Sequence, residues 1–236
     1  MITRSRTGQL DADAALAGFF RDPDWMFKTG IGGMIVAGCI ILLAINTILM
    51  PIALALSSLV CGYLLRVMRY KTLNPSSKLP DWDEWMELFV SGLTWLAVQF
   101  GLALILISAL TVSFLIAAAL GTIKITSGGF IAWALSTVGV MSFLCAALSF
   151  LTPLLMVNFA VEERVAAGFA FGKVMRKAFK NPREFLVTWL LSIGVAWASV
   201  VLPTLTLIGV FFIPSTIFVG QVICATLWSQ VWGQDK

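Results

Sequence analysis

Histidine does not occur in these 236 residues. Its absence excludes the usual axial ligand of haem, the usual protein ligand of chlorophyll and every histidine-based metal or triad site. Cysteine is scarce, and Cys39, Cys61, Cys145 and Cys224 stand singly in apolar stretches with no pair at metal-ligand spacing. Thiols within lipid meet no oxidising machinery, so these read as small apolar side chains. Charge is scarce too, 12% of residues against 59% hydrophobic, and no Asp, Glu, Lys or Arg falls in the middle of a predicted span. Ion- and proton-coupled carriers need ionisable groups there. That argues against a pump or coupled transporter and leaves a passive path for lipid or small neutral molecules open. No nucleophile sits beside a base and no phosphate-cradling loop occurs, so enzymatic activity, a cofactor and a metal are not expected. Nucleic acid is not expected among the partners either. The first twenty residues lack the build of a secretory signal, with acids inside them and no apolar core of adequate length. The first hydrophobic helix is therefore expected to be a retained insertion signal.

What is present is apolar sequence in long runs, with a mean hydropathy of +0.95. This composition lies outside the range of soluble domains. It predicts an all-α membrane domain over 29–231, an interfacial segment 1–28 before it and a tail 232–236. A spanning helix needs about 20 apolar residues at about 1.5 Å rise each. The stretch 29–65 is too long for one span, and Asn46-Thr47 before Pro51 is the natural turn. Helices are thus predicted at 29–46 and 51–68, with one kinked, tilted helix over 29–68 as the alternative. Four more are predicted at 88–120, 130–161, 185–202 and 208–231, with a break at 121–129 and a kink at Pro153.

The charges support six spans in three hairpins. If both termini and the polar segments 66–87 and 162–184 share one side, all 12 acids lie there with every base except Lys124. Lys and Arg are retained on the cytoplasmic side, so both termini are expected there. The hairpins share a start signal. Asp22-Pro23-Asp24-Trp25 offers a cap and a first-turn proline, Asp81 and Glu84 have capping-box spacing, and Asn181-Pro182 precedes Glu184. Segments Arg66–Pro75 and Lys173–Pro182 match at five of ten positions, by chance or by an old duplication in one orientation.

Five bases, Lys173, Arg176, Lys177, Lys180 and Arg183, lie among Val165, Phe169, Gly172, Met175 and Phe179 at helical spacing. This pattern suggests an amphipathic helix in the headgroup layer facing anionic lipid or a partner; the plainer reading, which is preferred, is that these bases only set topology. Gly168 and Gly172 have the spacing of a close helix contact, outside mid-span. Glu162, Glu163 and Arg164 are expected to be solvated helix-end charges, although a pair with Arg66 or Arg69 would fasten two hairpins.

The residues Asp22-Pro23-Asp24-Trp25, Lys28, Ile31-Gly32-Gly33, Gly62-Tyr63, Arg66, Arg69, Leu79-Pro80, Trp82-Asp83 and Trp85 form a recurring pattern. It resembles an uncharacterised family of bacterial and archaeal multi-span membrane proteins, a domain of unknown function. The run Ala167–Lys173 looks like the polar connection in that family, and like membrane domains attached to some glycerophosphodiesterases. The resemblance implies a fold and a location rather than an activity. The leading expectation is an accessory, scaffold or assembly subunit of a larger complex in an inner or bioenergetic membrane. Its candidate partner or lipid contacts are Trp25, Arg66, Arg69, Asp81, Trp82, Trp85, Lys173, Arg176, Lys177 and Lys180, toward other membrane subunits and anionic headgroups. The alternatives are a lipid- or small-solute-handling protein with a cavity lined by Asn158 and Gln99, and a pigment-complex accessory subunit.

Overall fold

The structure, a computed structural model, describes residues 12–119 and 128–233. Among them are eight α-helices and no strand: α1 (Ala12–Phe20), α2 (Trp25–Ile45), α3 (Met50–Leu73), α4 (Trp85–Ala119), α5 (Gly128–Glu162), α6 (Phe171–Lys180), α7 (Pro182–Thr204) and α8 (Ile213–Gly233). All but α1 and α6 are long and apolar enough to cross a membrane, which makes this an all-α multi-pass membrane protein. Lys124 and most of the predicted break at 121–129 lie outside the described residues, as do 1–11 and 234–236.

The stretch 29–68 is two helices. Asn46 takes an extended backbone (φ −162°, ψ 133°), and its side chain accepts a hydrogen bond from the Ile48 N–H at 2.9 Å. A 3₁₀ turn, Thr47–Leu49, then leads into α3 with Pro51 in its first turn, where a missing N–H costs nothing. Helices α2, α4 and α7 start at residues 25, 85 and 182, three or four before the expected 29, 88 and 185. Hydropathy marks the lipid-embedded part of a helix, whereas its first turn can sit in the headgroup layer with its N–H groups hydrated.

The chain divides into two compact units, residues 1–96 with 153–236, and Ala97–Thr152. The second holds the later part of α4 and the earlier part of α5, and Phe100, Ile105, Val112, Val140 and Phe143 expose apolar surface there. In the first unit α8 is central, packing against α1, α2, α3 and α7. Burial is concentrated along one end of these helices: Ser58 to Thr72 of α3 and Phe218 to Trp232 of α8. Ile48 and Ile52, and Leu205, Leu207, Ile208 and Phe211, are exposed around the two opposite turns. Lipid tails solvate such side chains as well as protein does, so nothing drives the apolar ends together.

Two contacts fix the first unit that local sequence pattern did not announce. Ala15 of α1 is buried against Ile223 and Leu227 of α8, which docks the N-terminal segment on the bundle. Helices α3 and α4 approach until their backbones touch. A Cβ at Gly62 would collide with the Leu88 carbonyl, and one at Gly92 with the Ser58 carbonyl. The α3 step Ser58/Gly62 is of the small-residue kind that close membrane crossings use, and it meets the α4 backbone at Leu88 and Gly92.

Candidate functional site

Helix α3 stops at Leu73 because Pro75 pushes Asn74 out of the helical region (φ −143°, ψ 99°). The following loop, 74–84, then folds back along the helix it has just left. Lys71 donates to the Ser77 carbonyl, and one loop turn later the Tyr63 hydroxyl donates to the Pro80 carbonyl at 3.0 Å. The Trp82 ring lies flat on the Tyr63 ring, centroids 4.3 Å apart and planes 11° apart, with Phe218 of α8 against both. Gly32 of α2 has no room for a Cβ because the Phe218 ring occupies it.

Lys28 fastens this loop to α2. Its ammonium donates to Asp22 Oδ2 (3.0 Å) and to the Leu79 carbonyl (2.9 Å), and pairs with Asp81 Oδ1 (2.9 Å). Asp22 Oδ2 also accepts the Leu79 N–H at 3.0 Å, and Oδ1 accepts the Asp24 N–H at 2.9 Å. The Trp82 indole closes the ring of contacts by donating to the Lys28 carbonyl at 3.1 Å. Burial alone would push the Asp22 carboxyl up. The Lys28 ammonium and the two backbone N–H groups outweigh it and hold the group below the ordinary aspartate value. Asp22 is therefore a crosslink rather than the expected helix cap, and α2 begins after Asp24 without any side-chain cap.

Arg66 repeats the arrangement on the other side of Trp82. It pairs with Asp83, with Glu84 Oε2 at 3.0 Å and with Glu87 Oε2 at 3.5 Å. The expected Asp81–Glu84 capping box is not formed, since Asp81 is held by Lys28 and Glu84 by Arg66. Lys28 is buried and Arg66 largely covered, their side chains 5% and 9% exposed, while Asp81, Asp83, Glu84 and Glu87 are 61–74% exposed. The polar face consequently presents carboxylates around Trp85 and hides the bases that hold them.

The second polar segment joins the same end. Arg69 pairs with Glu163, so the α3–α5 fastening that the sequence left as the lesser expectation is present. Glu162 pairs with Lys173 at the start of α6. Buried Asn158 donates to the Ala167 carbonyl at 2.9 Å and holds the turn that follows α5. Lys177 donates to the Trp232 carbonyl, with its ammonium 4.2 Å from the centre of the Trp232 ring. The amphipathic helix expected around Lys173–Arg183 is α6, while Val165 and Phe169 fall in a separate 3₁₀ turn, Val165–Phe169, ahead of a bend at Ala170. That bend rotates the buried stripe to Val174 and Ala178 and leaves Phe179 exposed. Gly172 meets nothing within 4 Å, so the Gly168/Gly172 spacing makes no close contact there.

Residues 45–227 match the family model described as Protein of unknown function (DUF4013). The chain belongs to this family. No curated protein and no solved structure matches it. The family match takes in Tyr63, Arg66, the folded-back loop and Glu163, whereas Asp22 and Lys28 lie before it.

Not every expected contact residue is on the surface. Trp82 is buried beneath Trp85, and Arg66 is covered by its acids, because both hold the loop in place. Trp25 packs its ring edge-on to Phe20 at 5.2 Å. Asp81, Trp85, Lys173, Arg176 and Lys180 are exposed. Within the family's matched stretch, a cavity of about 660 Å³ opens between α3, α4 and α5, with Arg66, Arg69, Glu84, Glu87 and Glu163 on its lining. A second, of about 450 Å³ between α3, α5, α7 and α8, is apolar apart from Ser192, Ser199, Gln221 and Cys224. Neither is lined by Asn158 or Gln99, the residues expected to line one. The charged side chains that do line the first lie at or near helix ends, which hydropathy alone marks only as boundaries.

Proposed function

We propose that the chain is a non-enzymatic accessory subunit of a larger membrane complex, read by its partner at the loop 74–84 and the first turn of α4. The supporting observation is the use made of buried charge. Lys28 and Arg66 are spent on fixing one loop rather than on a path through the bilayer, and the loop and the first turn of α4 then display four carboxylates beside the half-exposed Trp85. A surface held rigid before binding loses little entropy on association, and an exposed tryptophan among charges is the composition of an interface centre with a polar rim. The excess of bases at this end supports a cytoplasmic orientation for it, in a plasma or internal energy-converting membrane. A partner fitted to it carries basic groups around an apolar slot.

The test is purification in mild detergent with a photo-crosslinking residue at position 85. One partner of fixed mass should cross-link and co-purify in constant ratio, and Trp85→Ser should release it while leaving the yield of folded protein unchanged. Cross-links to lipid alone, or a partner retained by Trp85→Ser, would contradict the proposal.

A further inference from the structure

The cavity between α3, α4 and α5 has a lining of two kinds. Arg66, Arg69, Glu84, Glu87 and Glu163 gather charge of both signs, while Leu65, Met86, Val90, Phe159 and Ala160 are apolar. Its volume of about 660 Å³ falls inside the range of small-molecule sites, about 300–1,000 Å³. Met86 and Val90, one helical turn apart on α4, are both exposed, so this wall of the cavity is open along an apolar helix face. A water-soluble ligand has no use for such an opening; a molecule with an apolar tail does.

The charges choose the headgroup. Arg66 is saturated by three carboxylates, but Arg69 gives only Nη1 to Glu163 and is 43% exposed. A guanidinium has further N–H donors in its plane and suits a phosphate. Against these two bases stand three lining glutamates, an acidic surplus that repels a purely anionic headgroup and attracts an ammonium. Two of those glutamates, Glu84 (φ 50°) and Glu163 (φ 54°), adopt the left-handed backbone that favours glycine. Such a conformation costs a side-chain-bearing residue on the order of 1 kcal/mol and is kept only where its surroundings demand it. Glu163 sits where a helix ordinarily ends in glycine, directly after α5, and its carboxylate is thereby turned onto Arg69.

From this arrangement we infer that the cavity is a binding site for a zwitterionic, ammonium-bearing phospholipid. Its phosphate meets Arg69, its ammonium meets Glu163 with Glu84 and Glu87, and its acyl chains leave over Met86 and Val90. The site shares Glu84 and Glu87 with the proposed docking face, whereas Arg69, Glu163 and Val90 lie outside that face and test the lipid site separately.

The experiment is native mass spectrometry of the full chain in mild detergent, titrated with phosphatidylethanolamine or with phosphatidylglycerol. The wild type should retain the former in preference and in a ratio of one. Arg69→Gln should weaken it about tenfold, the usual worth of one charge-assisted hydrogen bond. Glu163→Gly should do the same, and because glycine accepts the left-handed backbone this variant folds without strain. Val90→Trp, at the exposed rim, should block the adduct while leaving every ion pair intact. Preference for phosphatidylglycerol, equal retention of the two lipids, or an adduct undiminished in Glu163→Gly and Val90→Trp would overturn the assignment.

Discussion

Asp22 accepts from three donors at once, the Lys28 ammonium and the N–H groups of Asp24 and Leu79, while 2% exposed. Replacing it by Asn keeps the shape and removes the charge that balances buried Lys28, leaving Asp81 as its only anion. Breaking one side of a buried pair costs about 3 kcal/mol, so Asp22→Asn should unfold at clearly lower temperature in detergent. The pH dependence has a defined sign. A carboxyl held below its ordinary value stabilises the fold above about pH 4 and loses that contribution as pH falls through its lowered native value. The gap between wild type and Asp22→Asn should therefore narrow on acidification below about pH 4; a gap that stays constant would show that Asp22 carries no charge in the fold. The sequence pattern around Asp22 suggested a cap because Pro23 stands beside it. One of its three donors, the Leu79 N–H, lies 57 residues away, and local spacing carries no information at that range.

At the scale of elements, α3 and α4 meet closely at Gly62 and Gly92. Either glycine replaced by alanine must push a backbone carbonyl aside, and overpacking of this kind costs about 1–3 kcal/mol. Gly30 provides the control, since a Cβ there meets nothing within 4 Å. Gly30→Ala should be neutral or raise the midpoint slightly, given alanine's better helix propensity. Thermal unfolding that ranks Gly62→Ala equal to Gly30→Ala would refute the α3–α4 contact. Helix existence was legible, because twenty apolar residues in lipid have no other way to satisfy their backbone. Helix pairing was not. In hydrocarbon a buried face and a lipid-facing one are equally apolar, so periodicity gives no sign of which glycine meets which neighbour. Gly168 and Gly172 have the spacing of a close contact, but the bend at Ala170 separates them.

For the molecule as a whole, the segregation of charge was legible and the architecture it produces was not. Counting acids and bases is enough to put the segments 66–87 and 162–184 on one side, and the pairs Arg69–Glu163 and Lys177–Trp232 join the ends of α3, α5, α6 and α8 there. The folding back of 74–84 along α3, the docking of α1 and the burial of Lys28 depend on contacts between distant positions and emerge only in three dimensions. Both the proposed docking loop and the proposed lipid site are built at this one polar end, so both rest on its being a single face. The most direct measurement is labelling with a membrane-impermeant maleimide, in a background where the four native cysteines are replaced, of single cysteines at exposed Ser76 and exposed Arg176. Both positions should react in inverted vesicles and stay protected in intact cells; reaction of one from each side of the membrane would contradict the account.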